Sequence, residues 1–138
     1  MKIQRAFVSI FSDRLEQTRD FYLALFDWRV DFDSDWFVHL QAKDAPGLEL
    51  GIIRRDHEIV PAALRAAPAG TMVTIVVPDV DAVHRAAVAL GAPIVEAPRD
   101  LFYGQRRMLL RDPDGTVVDV SSECPPSAAF LQSLSAGA

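Results

Sequence analysis

Apolar residues recur along this chain at two periods, and the periods alternate in the same order in both halves. Over residues 6–11, Val8 and Ile10 fall on one face while Phe7, Ser9 and Phe11 fall on the other, which predicts a strand. Ser12 or Asp13 then stands at a helix start, with Asp13 and Glu16 at capping-box spacing. The helix over 15–26 turns Phe21, Tyr22 and Leu25 to one side. Three short strands follow over 29–32, 36–41 and 48–53, separated by Asp/Ser and Asp-Ala-Pro-Gly turns.

That order recurs. A strand over 72–77 leads through Pro78 and Asp79 into a helix over 80–90, ended by Gly91. Strands over 93–96, 105–111 and 116–121 complete it. Sliding one half onto the other matches Phe7 with Met72, Ser9 with Thr74, Ile10 with Ile75, and Ala24-Leu25 with Ala89-Leu90. An internal repeat of this kind outranks local propensity. The expected class is α+β: two tandem βαβββ modules forming a curved mixed sheet with a ligand cleft. One domain spans 1–138, with module one over about 4–53, a connector over 54–69 and module two over about 70–122. The connector holds a short helix near 62–66. In the tail over 123–138, Ser127 is placed to cap a helix bearing Phe130, Leu131 and Leu134 on one stripe.

A strand face that meets a helix is apolar, and the opposite face tolerates polar groups. Trp36/Val38/Leu40, Leu48/Leu50/Ile52 and Val73/Ile75/Val77 read as helix-facing. The opposite faces carry Phe7, Ser9 and Phe11; Phe37, His39 and Gln41; Glu49 and Gly51; Met72, Thr74 and Val76; and Val117, Asp119 and Ser121. Asp119 follows the turn Asp112-Pro113-Asp114-Gly115, in which Pro113 presets φ and both aspartates are placed to bond back to turn amides. An acid on an inner strand needs a partner or an open cavity. Mixed apolar and polar inner faces describe a ligand cleft.

Charge narrows the function classes. A formal net charge of -5 and a pI of about 5.0 give no electrostatic support for nucleic acid or an anionic membrane. The single Cys124 excludes an internal disulfide and a cysteine metal cluster, which suits a reducing cytoplasm. Neither a membrane span nor a signal peptide is legible, so a cytoplasmic protein is expected.

The pattern resembles the vicinal oxygen chelate superfamily, which includes glyoxalase I, bleomycin-resistance proteins, fosfomycin-resistance enzymes and extradiol dioxygenases. The pieces that carry the resemblance are Asp20-Phe21-Tyr22 with Leu25-Phe26, Pro78-Asp79-Val80-Asp81-Ala82, Gly104-Gln105-Arg106-Arg107, and Asp112-Pro113-Asp114-Gly115, in that order. In metal-using members, the resemblance implies, ligands sit on the first and last strand of each module and face the cleft. Those positions fall here on Phe7, Glu49, Met72 and Asp119. The two positions normally held by His are Phe and Met, and the two carboxylates remain. A phenyl ring donates nothing to a metal and a thioether is a poor ligand for Zn, Mn, Ni or Mg. No metal or other cofactor is therefore expected.

Among the remaining candidates, His39 lies on the inferred cleft face, and Tyr103 and Arg107 flank the Gly104 turn at its rim. His57 and His84 read as surface, and Trp28 and Trp36 as core. The serines have no histidine at readable spacing, and Cys124 has no basic partner, so no nucleophile–base pair is legible. The expectation is a metal-independent small-molecule binding protein of the bleomycin-resistance type, taking a cationic or aromatic compound and working as a homodimer. Its ligand-binding residues would be Phe7, Ser9, Phe11, Phe37, His39, Glu49, Met72, Thr74, Tyr103, Arg107, Asp119 and Ser121, with no catalytic residue. The alternative is a glyoxalase-like lyase, isomerase or dioxygenase with a divergent or metal-free site, using Glu49, Asp119 or His39 as base.

Overall fold

The computed structural model describes residues 1–137. Each βαβββ module forms a four-stranded mixed sheet of its own. By compactness the chain divides into Met1–Thr71 together with Asp112–Thr116, and Met72–Arg111 together with the residues from Val117 onward.

The first unit contains β1 (Val8–Ser12), α1 (Leu15–Leu25), β2 (Trp28–Asp33), β3 (Phe37–Ala42) and β4 (Glu49–Arg54), in the sheet order β1-β4-β3-β2. Two antiparallel hairpins run β2 to β3 to β4, and β4 closes on β1 in parallel, with Ser9 opposite Gly51. One register row places Ser9, Gly51 and His39 side by side, and the next places Phe11, Ile53 and Phe37 together. The alternate rows turn Val38, Leu40, Leu50 and Ile52 toward α1, where they are buried with Phe21, Tyr22 and Leu25. Shortening any fully buried member such as Ile52 to alanine costs about 2–5 kcal/mol. Leu48, expected in that row, precedes β4 and is exposed. Trp36 also precedes its strand, and its indole stacks on His57 at 4.9 Å between ring centroids.

The start of α1 departs from the capping box. Asp13 gives its carboxylate to Arg55 Nε at 2.7 Å, and the helix begins after Arg14 with no side chain on its amides. Ser12 Oγ accepts the Arg14 amide at 3.0 Å. Asp114, distant in sequence, accepts the Asp13 amide at 2.8 Å and the Thr18 hydroxyl. In the same turn Asp112 Oδ1 accepts the amides of Asp114 and Thr116 at 2.9 and 3.0 Å, as expected for Asp112. Gly115 closes that turn at φ +88°, a conformation that favours glycine.

The second unit contains β5 (Met72–Val76), α2 (Val80–Ala89), β6 (Ile94–Leu101), β7 (Gln105–Arg111), β8 (Val117–Glu123) and α3 (Ala128–Ala136), with sheet order β5-β8-β7-β6. Asp79 caps α2 by accepting the Ala82 amide at 3.2 Å, and Ser122 Oγ accepts the Val80 amide at 2.7 Å. Val80, Val83 and Ala87 bury against Met108, Leu110, Val118 and Val120. Strand β6 runs past the expected residue 96 to Leu101, through Pro98, with two register shifts against β7. It is an edge strand, where a missing N–H costs no ladder bond. Ser127 caps α3 through the Phe130 amide at 3.1 Å, and Phe130 meets Phe102 edge-on. The connector's helix is a single 3-10 turn, Ala62–Leu64. Among the described residues no helix is long and apolar enough to cross a membrane.

Candidate functional site

Strand alternation gives each sheet one face against its helix and one face opposite, and each opposite face carries a carboxylate. In the first unit it is Glu49. Phe7 stands just before β1, whose parallel register with β4 begins at Val8 and Leu50, and β3 supplies Gln41 opposite Glu49 and His39 opposite Gly51. The side chains of Glu49 and His39 are only 6% and 9% exposed. His39 Nε2 lies 2.8 Å from Glu49 Oε1, and its Nδ1 faces Asp31 Oδ2 at 3.8 Å. Phe7 meets the His39 ring edge-on at 5.4 Å.

A residue the sequence reading passed over completes this cluster. Arg5 directs Nε at both Glu49 oxygens, 2.9 Å from each, and Nη2 adds a further contact to Oε1. Its guanidinium carbon stands 4.7 Å from the centre of the Phe7 ring. Arg5 Nη2 is also 2.8 Å from His39 Nε2. As an acceptor Nε2 takes the Arg5 N–H, and as a donor it gives its hydrogen to Glu49. The Arg5 hydrogen bonds hold the Glu49 carboxyl below the ordinary carboxylate range, and Glu49 in turn raises Arg5. Period two from Phe7 pointed to Arg5 in the sequence, but residue 5 lies before the strand. Asp31 escaped notice because β2 bulges between Val30 and Phe32.

In the second unit the carboxylate is Asp119. Parallel pairing sets Thr74 beside it, and Thr74 Oγ1 donates to Asp119 Oδ2 at 3.2 Å. Asp119 is nine-tenths buried, and its Oδ1 has no hydrogen-bond partner among the described residues. Met72, Val76 and Val117 share its face. Ser121 is buried and pairs with Arg107 across β7. Arg107 reaches Glu96 through Nη2 at 3.5 Å, leaving Nε buried without a hydrogen-bond partner among the described residues; Gln105 Oε1 is in the same condition. Tyr103 occupies the turn between β6 and β7, exposed, with its ring edge-on to Phe102. Phe7, Ser9, Phe11, Phe37, His39 and Glu49 therefore share one face in the first unit. Met72, Thr74, Arg107, Asp119 and Ser121 share one in the second. A surface hollow of about 360 Å³ at the start of α1, lined by Asp13–Gln17, Ser34 and Asp35, contains none of these residues.

The family model for the Glyoxalase/Bleomycin resistance protein/Dioxygenase superfamily matches residues 4–120, most of the chain and both modules. The chain belongs to this superfamily. Solved structures agree on the fold. A glyoxalase/bleomycin resistance protein/dioxygenase family enzyme from Burkholderia phytofirmans PsJN superposes with a TM-score of 0.73 at 22% identity, covering 85% of this chain and 96% of that one. A glyoxalase-related enzyme from Fulvimarina pelagi gives 0.73 at 21%, covering 87% and 88%. TioX from Micromonospora sp. ML1 gives 0.66 at 21%, covering 87% and 98%. No curated protein matches.

The metal-ligand positions that the resemblance implies do not fit a divalent ion on the face of either unit. Phe7 has no donor atom, Met72 offers a thioether, and Arg5 already holds both oxygens of Glu49. Among the described residues no three His, Cys, Asp or Glu side chains group as a metal site would require.

Proposed function

We propose that this member of the superfamily binds a small cationic or aromatic molecule without a metal ion. The observation that carries the reading is Asp119: a nine-tenths buried carboxylate with one oxygen unanswered, on a face otherwise made of Met72, Val76, Val117 and Thr74. Leaving such an acceptor bare is costly, and a ligand nitrogen that donates to it relieves the cost. Thioether and valine surface suits an aromatic body attached to that nitrogen. Calorimetry with 2-phenylethylamine tests the reading. Saturable binding that Asp119→Asn weakens by about tenfold, one charge-assisted hydrogen bond, supports it. Equal binding by parent and variant, or none to any aromatic amine across a screened series, overturns it.

A second reading has its own support. The contact of His39 Nε2 with Glu49 Oε1 at 2.8 Å is a ready proton-transfer couple, as a metal-free lyase or isomerase would use. Exchange of an α-carbonyl proton into deuterated water, lost in both His39→Gln and Glu49→Gln, is the outcome that reading requires.

A further inference from the structure

We infer that the Phe7/His39/Glu49 face is a guanidinium-recognition site occupied in cis by Arg5, and that the exchangeable ligand of this face is a small molecule carrying a guanidinium or amidinium group. This rests on the small-molecule reading above and specifies the chemistry of one face. The site has the parts such a group requires. Glu49 presents a carboxylate whose two oxygens take the Arg5 fork, through Nε to both and Nη2 to Oε1. Phe7 offers its ring face to the planar cation at 4.7 Å. His39 Nε2 accepts from the outer nitrogen at 2.8 Å. The receiving groups are built into the sheet: Glu49 and His39 are nearly buried, and Gly51 between them leaves room that Ser9 and Phe37 fill.

The occupant is held differently. Arg5 belongs to the segment before β1, which has no regular structure, and its side chain is 55% exposed. A buried, preorganised receptor facing an exposed occupant on irregular chain is an exchangeable arrangement, because opening such a segment costs little of the global stability. Arg5 then acts as a tethered competitor, and a free ligand binds in proportion to the fraction of chains in which Arg5 has left. An ammonium would not reproduce the fork, so the site separates guanidinium from amine ligands.

Titration of Arg5→Ala with methylguanidine, followed through the side-chain NMR signals of Glu49 and His39, tests this. Arg5→Ala is expected to bind methylguanidine about tenfold more tightly than the parent, since the tethered competitor is gone. The double variant Arg5→Ala/Glu49→Gln is expected to lose that gain, and methylammonium to bind Arg5→Ala at least about tenfold more weakly than methylguanidine. Should Arg5→Ala fail to fold, Arg5→Lys, which keeps the charge and removes the fork, is expected to show the same order of preference with a smaller gain. Equal affinity in parent and Arg5→Ala, binding that survives Glu49→Gln, or no preference over methylammonium each overturns the inference. None of these results bears on 2-phenylethylamine at Asp119, so the general reading stands or falls separately.

Discussion

The Tyr22 hydroxyl donates to Asp112 Oδ2 at 2.9 Å, and both groups are shut away from solvent, Tyr22 wholly and Asp112 to 2% exposure. The other oxygen of Asp112 holds two amides of its own turn, so one carboxylate ties α1 to the Asp-Pro-Asp-Gly corner. The two aspartates of that corner divide the work: Asp112 shapes the turn and takes Tyr22, while Asp114 serves the start of α1.

Tyr22→Phe keeps the ring and strips Asp112 Oδ2 of its donor, so it is expected to lower stability by about 1–3 kcal/mol. Asp112→Asn should cost less than Asp112→Ala. Its carbonyl keeps both turn amides, and the Tyr22 hydroxyl can turn to accept from the new amide. Urea unfolding measures all three, and a Tyr22→Phe midpoint equal to the parent's would contradict the arrangement.

Burial, then the charge of Asp112, pushes the Tyr22 phenol well above its ordinary value of 10.0. The sign follows directly. The folded protein keeps this proton at a pH where the unfolded chain gives it up, so the contribution is complete below pH 10 and drains away above it. Stability should fall above pH 10 by up to about 1.4 kcal/mol per pH unit from this one group. The alkaline limb should be shallower in Tyr22→Phe, and identical limbs would remove Tyr22 as its cause.

Most of the fold was legible because period two and period 3.6 are local properties. The repeated element order, most members of the helix-facing rows and the caps Asp79 and Ser127 follow from neighbours in sequence, whereas Leu48 and Trp36, read into those rows, precede their strands. What escaped depended on partners far along the chain. Asp13 has a good capping spacing, yet Arg55 takes its carboxylate. Alternation within a strand says which residues share a face, but it does not say that Arg5, outside any strand, reaches Glu49.

Gly51, on the Glu49 face, has no free room for a side chain. A Cβ there would stand 2.6 Å from Ser9 Oγ and 3.0 Å from the Phe37 ring. The serine hydroxyl can rotate away, whereas the phenyl ring must shift. Gly51→Ala is therefore expected to destabilise by about 1–3 kcal/mol, with part recovered in Gly51→Ala/Ser9→Gly. Thermal unfolding of the pair decides it: a double variant no better than the single one would assign the whole cost to Phe37.

The donor set predicts the outcome of metal removal. Protein purified without added metal should carry no stoichiometric Ni, Zn, Mn or Fe by elemental analysis, and a chelator should leave Tm unchanged. About one such ion per chain, lost in Glu49→Gln, would show that Arg5 yields to a metal and would end the metal-free reading.

In the sheet orders of the described residues, β1 stands at one end of the first unit's sheet and β5 at one end of the second's. Those edges carry exposed apolar side chains: Val8 is 61% exposed on β1, and Met72 and Val76 are 55% and 63% exposed on β5. Unpaired backbone beside exposed valine and methionine invites pairing with another chain, and natural proteins either blunt such edges with charge or cover them. Neither edge strand carries a Lys, Asp or Glu to blunt it. A homodimer that buries these edges is therefore the expected state at micromolar concentration, with a two-fold axis as its commonest symmetry. Light scattering should give twice the 15.2 kDa chain mass. Val8→Lys with Val76→Lys should shift the population to monomer while leaving the circular dichroism of each fold intact. A parent that scatters as 15.2 kDa throughout the micromolar range would refute the dimer. A lysine variant that stays dimeric would place the interface elsewhere.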